Sequence, residues 1–116
     1  MTIYTEGFHT AEFLLSEAEG MYSREQVTLA AGSPALPAGQ LLGKVTATSK
    51  YVAYDNSATD GSQTAVAILY APAPDLTADQ KITIIARQAE VAAYALTGLD
   101  TPARADMVAA GIVVRD

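Results

Sequence analysis

The spacing of apolar and polar residues divides the chain into a first stretch without rhythm and a remainder built of short strands. From Glu25 onward the period is two. "QVTLAA" alternates and then meets "GSPALPAG", where two prolines and two glycines exclude both helix and ladder. In "QLLGKVTATSKYVAYD" the threonines, Val45, Tyr51, Val52 and Tyr54 suit a pleated surface, and Gly43 predicts a bend or bulge. "QTAVAILY" places Val66, Ile68 and Tyr70 on one face and Ala65, Ala67 and Leu69 on the other. Both faces are apolar, which predicts a central strand buried on two sides. "APAPD" stops it, and "KITIIAR" is a further β-branched strand candidate.

Two later stretches read differently. "QAEVAAYALTG" has the Ala, Glu and Leu content of a helix, yet it also suits the return strand of a hairpin turning at Gln88 to Glu90. "DTPARADMVAAG" predicts the one clear helix: Thr101 as N-cap, Pro102 at the first helical position and Gly111 to end it. "IVVR" then closes the chain as a short strand.

Residues 1–24 keep neither period. Bulky residues (Ile3, Tyr4, Phe8, Phe13, Leu14, Leu15, Tyr22) stand apart among charges and glycines. Two readings are open: a flexible arm that orders on a partner, or a segment laid along its own domain. The predicted organisation is an N-terminal arm over 1–24, partly flexible, and a single β-rich domain over 25–116.

Composition sharpens this picture. Of 116 residues, 23 are alanine, none is tryptophan and two are phenylalanine, so a single small core must be filled largely with small side chains. Self-association would add the buried apolar area that one such chain lacks. The net charge of −6 opposes a polyphosphate partner, and the seven Lys and Arg residues form no patch in the sequence, so no nucleic-acid binding is expected. The absence of cysteine removes disulfides and thiolate chemistry and suggests assembly inside a cell. No signal peptide is visible and no apolar run has the length of a membrane span, so a soluble chain made in the cytoplasm, with no membrane partner, is expected.

Candidate chemistry is sparse. "DNSATDGS" has the oxygen atoms of a cation loop, but counting from Asp55 the sixth position is Asp60 rather than glycine and the twelfth is Val66 rather than glutamate. As a connection between strands it works well, with Asp and Asn side chains free to bond their own backbone and Gly61 free to take positive φ. "GQLLGKV" lacks the four-residue spacing and the Ser or Thr of a phosphate-binding loop, and reads as a strand start with a glycine kink. His9 is the sole histidine and lies in the segment least suited to holding a catalytic group, and the 13 carboxylates fall singly. No catalytic, cofactor or metal site is expected.

Three stretches together resemble the lambda-type head decoration (capsid-stabilising) proteins of tailed bacteriophages: "EFLLSEAEGMYSREQVTL", "LPAGQLLGKVT" and "KYVAYDNSATDGSQTAVAIL", with the likeness continuing through "KITIIARQAEV". The pattern is a strand ending in Val52, Ala53, Tyr54 and Asp55, a polar loop with Asp60 and Gly61, then the small apolar run Ala65 to Leu69. The resemblance implies a structural protein without catalysis, with a small mainly β fold of the β-clip type. It implies a homotrimer on the outer surface of the expanded capsid, holding the major capsid protein against internal DNA pressure. Its arm would order by pairing with a strand of the capsid protein. Ile3, Tyr4 and Phe8 are the expected capsid-facing anchors, and "EVAAYAL" tips toward strand. The competing expectation is a carbohydrate- or cell-surface-binding β module on the virion, which would need Tyr51, Tyr54 and Tyr70 as exposed aromatic platforms.

Overall fold

A computed structural model describes residues 10–17, 23–75 and 77–116. Within them the fold is mainly β with one short helix, as the alternating pattern predicts. Eight strands are described: β1 (Leu14–Glu17), β2 (Arg24–Leu29), β3 (Leu41–Lys44), β4 (Tyr51–Ala53), β5 (Ala67–Leu69), β6 (Gln80–Ile85), β7 (Ala89–Ala92) and β8 (Ile112–Arg115), with helix α1 (Thr101–Ala109) before the last.

Five strands close into a barrel in the order β2-β4-β3-β5-β6, and the other three form a separate sheet in the order β1-β7-β8. The longest ladder is antiparallel, β2 against β6, with all six residues paired from Arg24↔Ile85 to Leu29↔Gln80. The barrel closes through a single parallel pair, Leu29↔Tyr51, seconded by the Ala30 N–H donating to Tyr51 O at 2.9 Å. "QLLGKVTATSKYVAYD" is not one extended stretch. β3 and β4 are the antiparallel arms of a hairpin, and Val45–Lys50 turns between them with Ser49 at φ 59°. Small polar residues there let local hydrogen bonds displace the ladder.

The double-sided character read in "QTAVAILY" is what joins the two halves. β5 sits between β3 and β6 with all three residues buried. Ala67 and Leu69 pack inside the barrel with Leu29, Leu36, Leu42, Ile82 and Ile84. Ile68 points the other way, into a second cluster with Phe13, Leu41, Ile85, Val91, Met107 and Ile112. That second cluster is the layer between the barrel wall, the open sheet and α1.

"QAEVAAYALTG" splits between the two expectations. Ala89–Ala92 is strand β7, and Ala93–Ala95 then winds into one 3₁₀ turn. It is not the return strand of a hairpin with β6, however. Gln88, at φ 50°, turns the chain out of the barrel, its carbonyl held by the Ser23 hydroxyl at 2.7 Å, and β7 pairs with β1 and β8 instead. The helix begins one residue earlier than expected at its cap: Asp100, not Thr101, is the N-cap, its carboxylate accepting the Ala103 N–H at 2.8 Å. Aspartate outranks threonine as a cap because its charge also meets the positive end of the helix dipole. Gly111 follows the helix at φ 80°, as expected of a terminating glycine.

Candidate functional site

The N-terminal segment meets the domain at β1. The Ala11 N–H donates to Tyr70 O at 2.8 Å, and the Ala92 N–H donates to Phe13 O at 2.8 Å. Phe13 is fully buried in the layer between barrel and sheet, so Thr10–Glu17 is laid along its own domain. β1 pairs antiparallel with β7 across a register break between Leu14 and Ser16, which leaves Leu15 54% exposed. Farther along, Glu17 accepts two hydrogen bonds from Arg24, at 2.6 and 3.1 Å, and the Arg24 guanidinium lies 4.4 Å from the centre of the Tyr70 ring. Backbone bonds, an aromatic anchor and an ion pair thus pin this segment along its described length. Ile3, Tyr4 and Phe8, and likewise His9, lie outside the described residues.

The polar loop between β4 and β5 is tied down at every turn. Asp55 Oδ1 accepts from the Ser57 hydroxyl and N–H at 2.7 and 3.0 Å, and Asp60 Oδ1 accepts from Ser62 in the same way at 2.6 and 3.0 Å. Those donors hold both carboxyls below the ordinary aspartate range, the serine hydroxyl contributing most. The loop then packs onto β3 so closely that side chains are excluded. A Cβ at Gly61, whose φ is 113°, would lie 2.4 Å from Thr46 Oγ1, and one at Gly43 would lie 2.5 Å from Ser62 Cα. Gly39 makes the equivalent approach to the 3₁₀ turn, where a Cβ would lie 2.3 Å from Ala95 O. Both glycines of "GQLLGKV" are therefore close-approach residues between main chains.

Helix α1 braces this loop from the other side. Asp100, while capping the helix, also accepts the Tyr54 hydroxyl at 2.9 Å, and Asp106 Oδ2 accepts the Ala65 N–H at 2.9 Å. Burial, with the Asp100 hydrogen bond and the nearby charges of Asp100, Asp106 and Asp55, pushes the Tyr54 phenol up to about 12. Tyr54 is consequently no exposed platform. Tyr51 and Tyr70 are only partly exposed, Tyr51 packed against the barrel cluster and Tyr70 beneath Arg24. Among the described residues the large hydrophobic side chains that face outward are others: Tyr94 at 76%, Val108 at 72%, Leu15 and Val113. Sequence reading missed this set because exposure of a lone apolar residue depends on which face its element turns outward.

Among the described residues no three His, Cys, Asp or Glu side chains converge as metal ligands, and no helix is long and apolar enough to cross a membrane. Four ion pairs join partly or fully exposed side chains: Arg87–Glu25, Lys50–Asp79, Arg104–Asp116 and Arg115–Glu90.

A family model for the bacteriophage lambda head decoration protein D matches residues 3–112 of the chain. The chain belongs to that family. It is thus a phage head decoration protein, a structural component whose place is the virion capsid. No curated protein matches the chain. The match runs from the N-terminal segment through the barrel and α1 to the start of β8, so it covers both halves of the fold.

Proposed function

We propose that the protein is a cement protein that binds as a homotrimer to the outer surface of the expanded shell and stabilises it against internal DNA pressure. It does so by holding neighbouring copies of the major capsid protein, without catalysis and without a cofactor. On this reading residues 1–24 are the arm, 25–116 are the decoration domain of β-clip type, and Ile3, Tyr4 and Phe8 are the capsid-facing anchors. The family match carries this reading, since it begins at Ile3 and so takes in the anchors as well as the domain.

Physical chemistry supports an arm mechanism. An extended segment that adds a strand to a partner sheet gains main-chain hydrogen bonds, and alternate bulky side chains fill pockets. A single short arm binds weakly, but three tethered arms raise avidity by roughly 10² to 10⁴ where the spacing fits. The root from Ala11 to Glu17, pinned by Phe13 and the Arg24–Glu17 pair, would transmit load from arm to domain. The glycan-binding alternative loses its main support with Tyr54, which is buried and bonded to Asp100.

Deletion of residues 2–12 tests the mechanism. The truncated protein is expected to keep its oligomeric mass and its far-UV spectrum while losing binding to expanded shells in a co-sedimentation assay. Retained binding at the affinity of the full chain would overturn the arm mechanism.

A further inference from the structure

Among the described residues three that are not glycine take positive φ: Ala11 at 59°, Ser49 at 59° and Gln88 at 50°. Ser49 turns the chain between β3 and β4, and Gln88 turns it from the barrel to the open sheet. Both are polar residues in connections between two strands. Ala11 is neither, for it lies in the turn Thr10–Phe13 that leads into β1. An alanine is disfavoured in this region because its Cβ crowds the following carbonyl oxygen. It also has no polar side chain to offset that cost with a local hydrogen bond.

Main-chain contacts on both sides hold the residue in this conformation. The Ala11 N–H donates to Tyr70 O at 2.8 Å, and the Ala11 carbonyl accepts the Leu14 N–H at 3.0 Å. Phe13, two residues on, is fully buried, and its own carbonyl accepts the Ala92 N–H at 2.8 Å. The rotation left between these fixed points is φ of Ala11, and φ aims all of the chain that precedes it. An extended residue has φ near −120°, roughly half a turn away, and would send that chain in another direction. A sparsely populated backbone conformation imposed by its surroundings is a mark of pre-organisation.

We propose that Ala11 is a positioning residue for attachment: its left-handed backbone sets the direction in which the outer arm leaves the domain. This rests on the arm reading and names the residue that aims the arm. A segment already aimed loses less freedom when it binds. Glycine would admit both signs of φ and release the direction. Asparagine tolerates positive φ and would keep it, whereas valine, branched at Cβ, would force it away. A turn that only needs positive φ ranks these residues differently, with glycine the best of them.

Co-sedimentation with expanded shells, read beside the thermal midpoint of each variant, separates the two orders. Ala11→Gly is expected to keep or raise the midpoint yet weaken binding about 2- to 5-fold, the cost of one added backbone freedom. Ala11→Asn should bind as the unaltered chain does. Ala11→Val should weaken binding about tenfold or more with an unchanged far-UV spectrum. If the valine variant does not fold, the glycine and asparagine variants decide the matter between them. Full affinity in Ala11→Gly, or equal weakening in Ala11→Gly and Ala11→Asn, overturns the proposal. A joint fall of midpoint and binding in Ala11→Gly makes the residue a structural one and overturns it as well. Deletion of residues 2–12 keeps the two readings apart. Retained binding there overturns the arm mechanism and this proposal together, whereas lost binding with a fully active Ala11→Gly overturns the role of Ala11 alone.

Discussion

The closed barrel and the open three-stranded sheet are built from the same kinds of residue, yet they meet solvent in opposite ways. The barrel returns β6 to β2 and joins β2 to β4, so its strands largely satisfy one another, and the Leu and Ile side chains inside it cover one another. The open sheet ends on β1 and β8. One of these edges is continuous with the N-terminal segment, and the other borders an apolar groove beside α1. The barrel thus closes on itself, and the sheet is the part whose edges are left open.

The largest test of this division is Phe13→Ala. Phe13 is fully buried where sheet and barrel meet, and its loss should cost about 3–5 kcal/mol in denaturant unfolding. Hydrogen exchange should then rise first in β1 and β7. Leu42→Ala, inside the barrel, should cost about 2–5 kcal/mol and raise exchange in β2 and β6 instead. Identical exchange patterns in the two variants would show that the halves unfold as one unit.

Next in size is Asp100→Ala, which removes the helix cap and the partner of the Tyr54 hydroxyl together. Loss of about 1–2 kcal/mol is expected by thermal or chemical unfolding, with Asp100→Asn losing less because asparagine also caps.

Alkaline and acid limbs of stability come from different places. The folded-state pKa of Tyr54 is raised, to about 12, so its contribution is fully present below the ordinary tyrosine value near 10. That contribution is lost as pH rises through 12, and Tyr54→Phe should flatten this limb of a pH–stability profile. Asp55 and Asp60 have lowered values, so their contribution is present above the ordinary carboxylate range and lost as pH falls through the lower folded values. D55N with D60N should reduce the acid dependence without moving the alkaline limb.

The smallest effect is expected of the Arg87–Glu25 pair, which joins exposed side chains. Replacing both with alanine should change stability by about 1 kcal/mol or less. A larger loss would mean that the outer wall of the barrel depends on charge.

Much of this architecture was legible in the order of residues. Alternation placed β2, β-branched content placed β6, the closing "IVVR" read as β8, and the double-sided run around Ile68 marked the strand shared by both cores, because a strand buried on two faces must be apolar on both. The helix was readable from its proline and its terminating glycine, and the polar loop from its Asp and Gly spacing. The likeness that names the family also lies in that order, from "KYVAYD" through "DGS" to "AVAIL".

Tertiary structure alone decided the rest. Whether β7 returned beside β6 or crossed to another sheet depended on a positive φ at Gln88 and on the room beside β1, neither of which leaves a periodic trace. The purposes of Gly39, Gly43 and Gly61 became clear only when the segments pressing on them, distant in sequence, were in place. Tyr54 looked like a candidate platform until Asp100, 46 residues away, was found at its hydroxyl. Local pattern records which face of an element is apolar. Which of those faces is covered, and which is left for a partner, is settled by long-range packing.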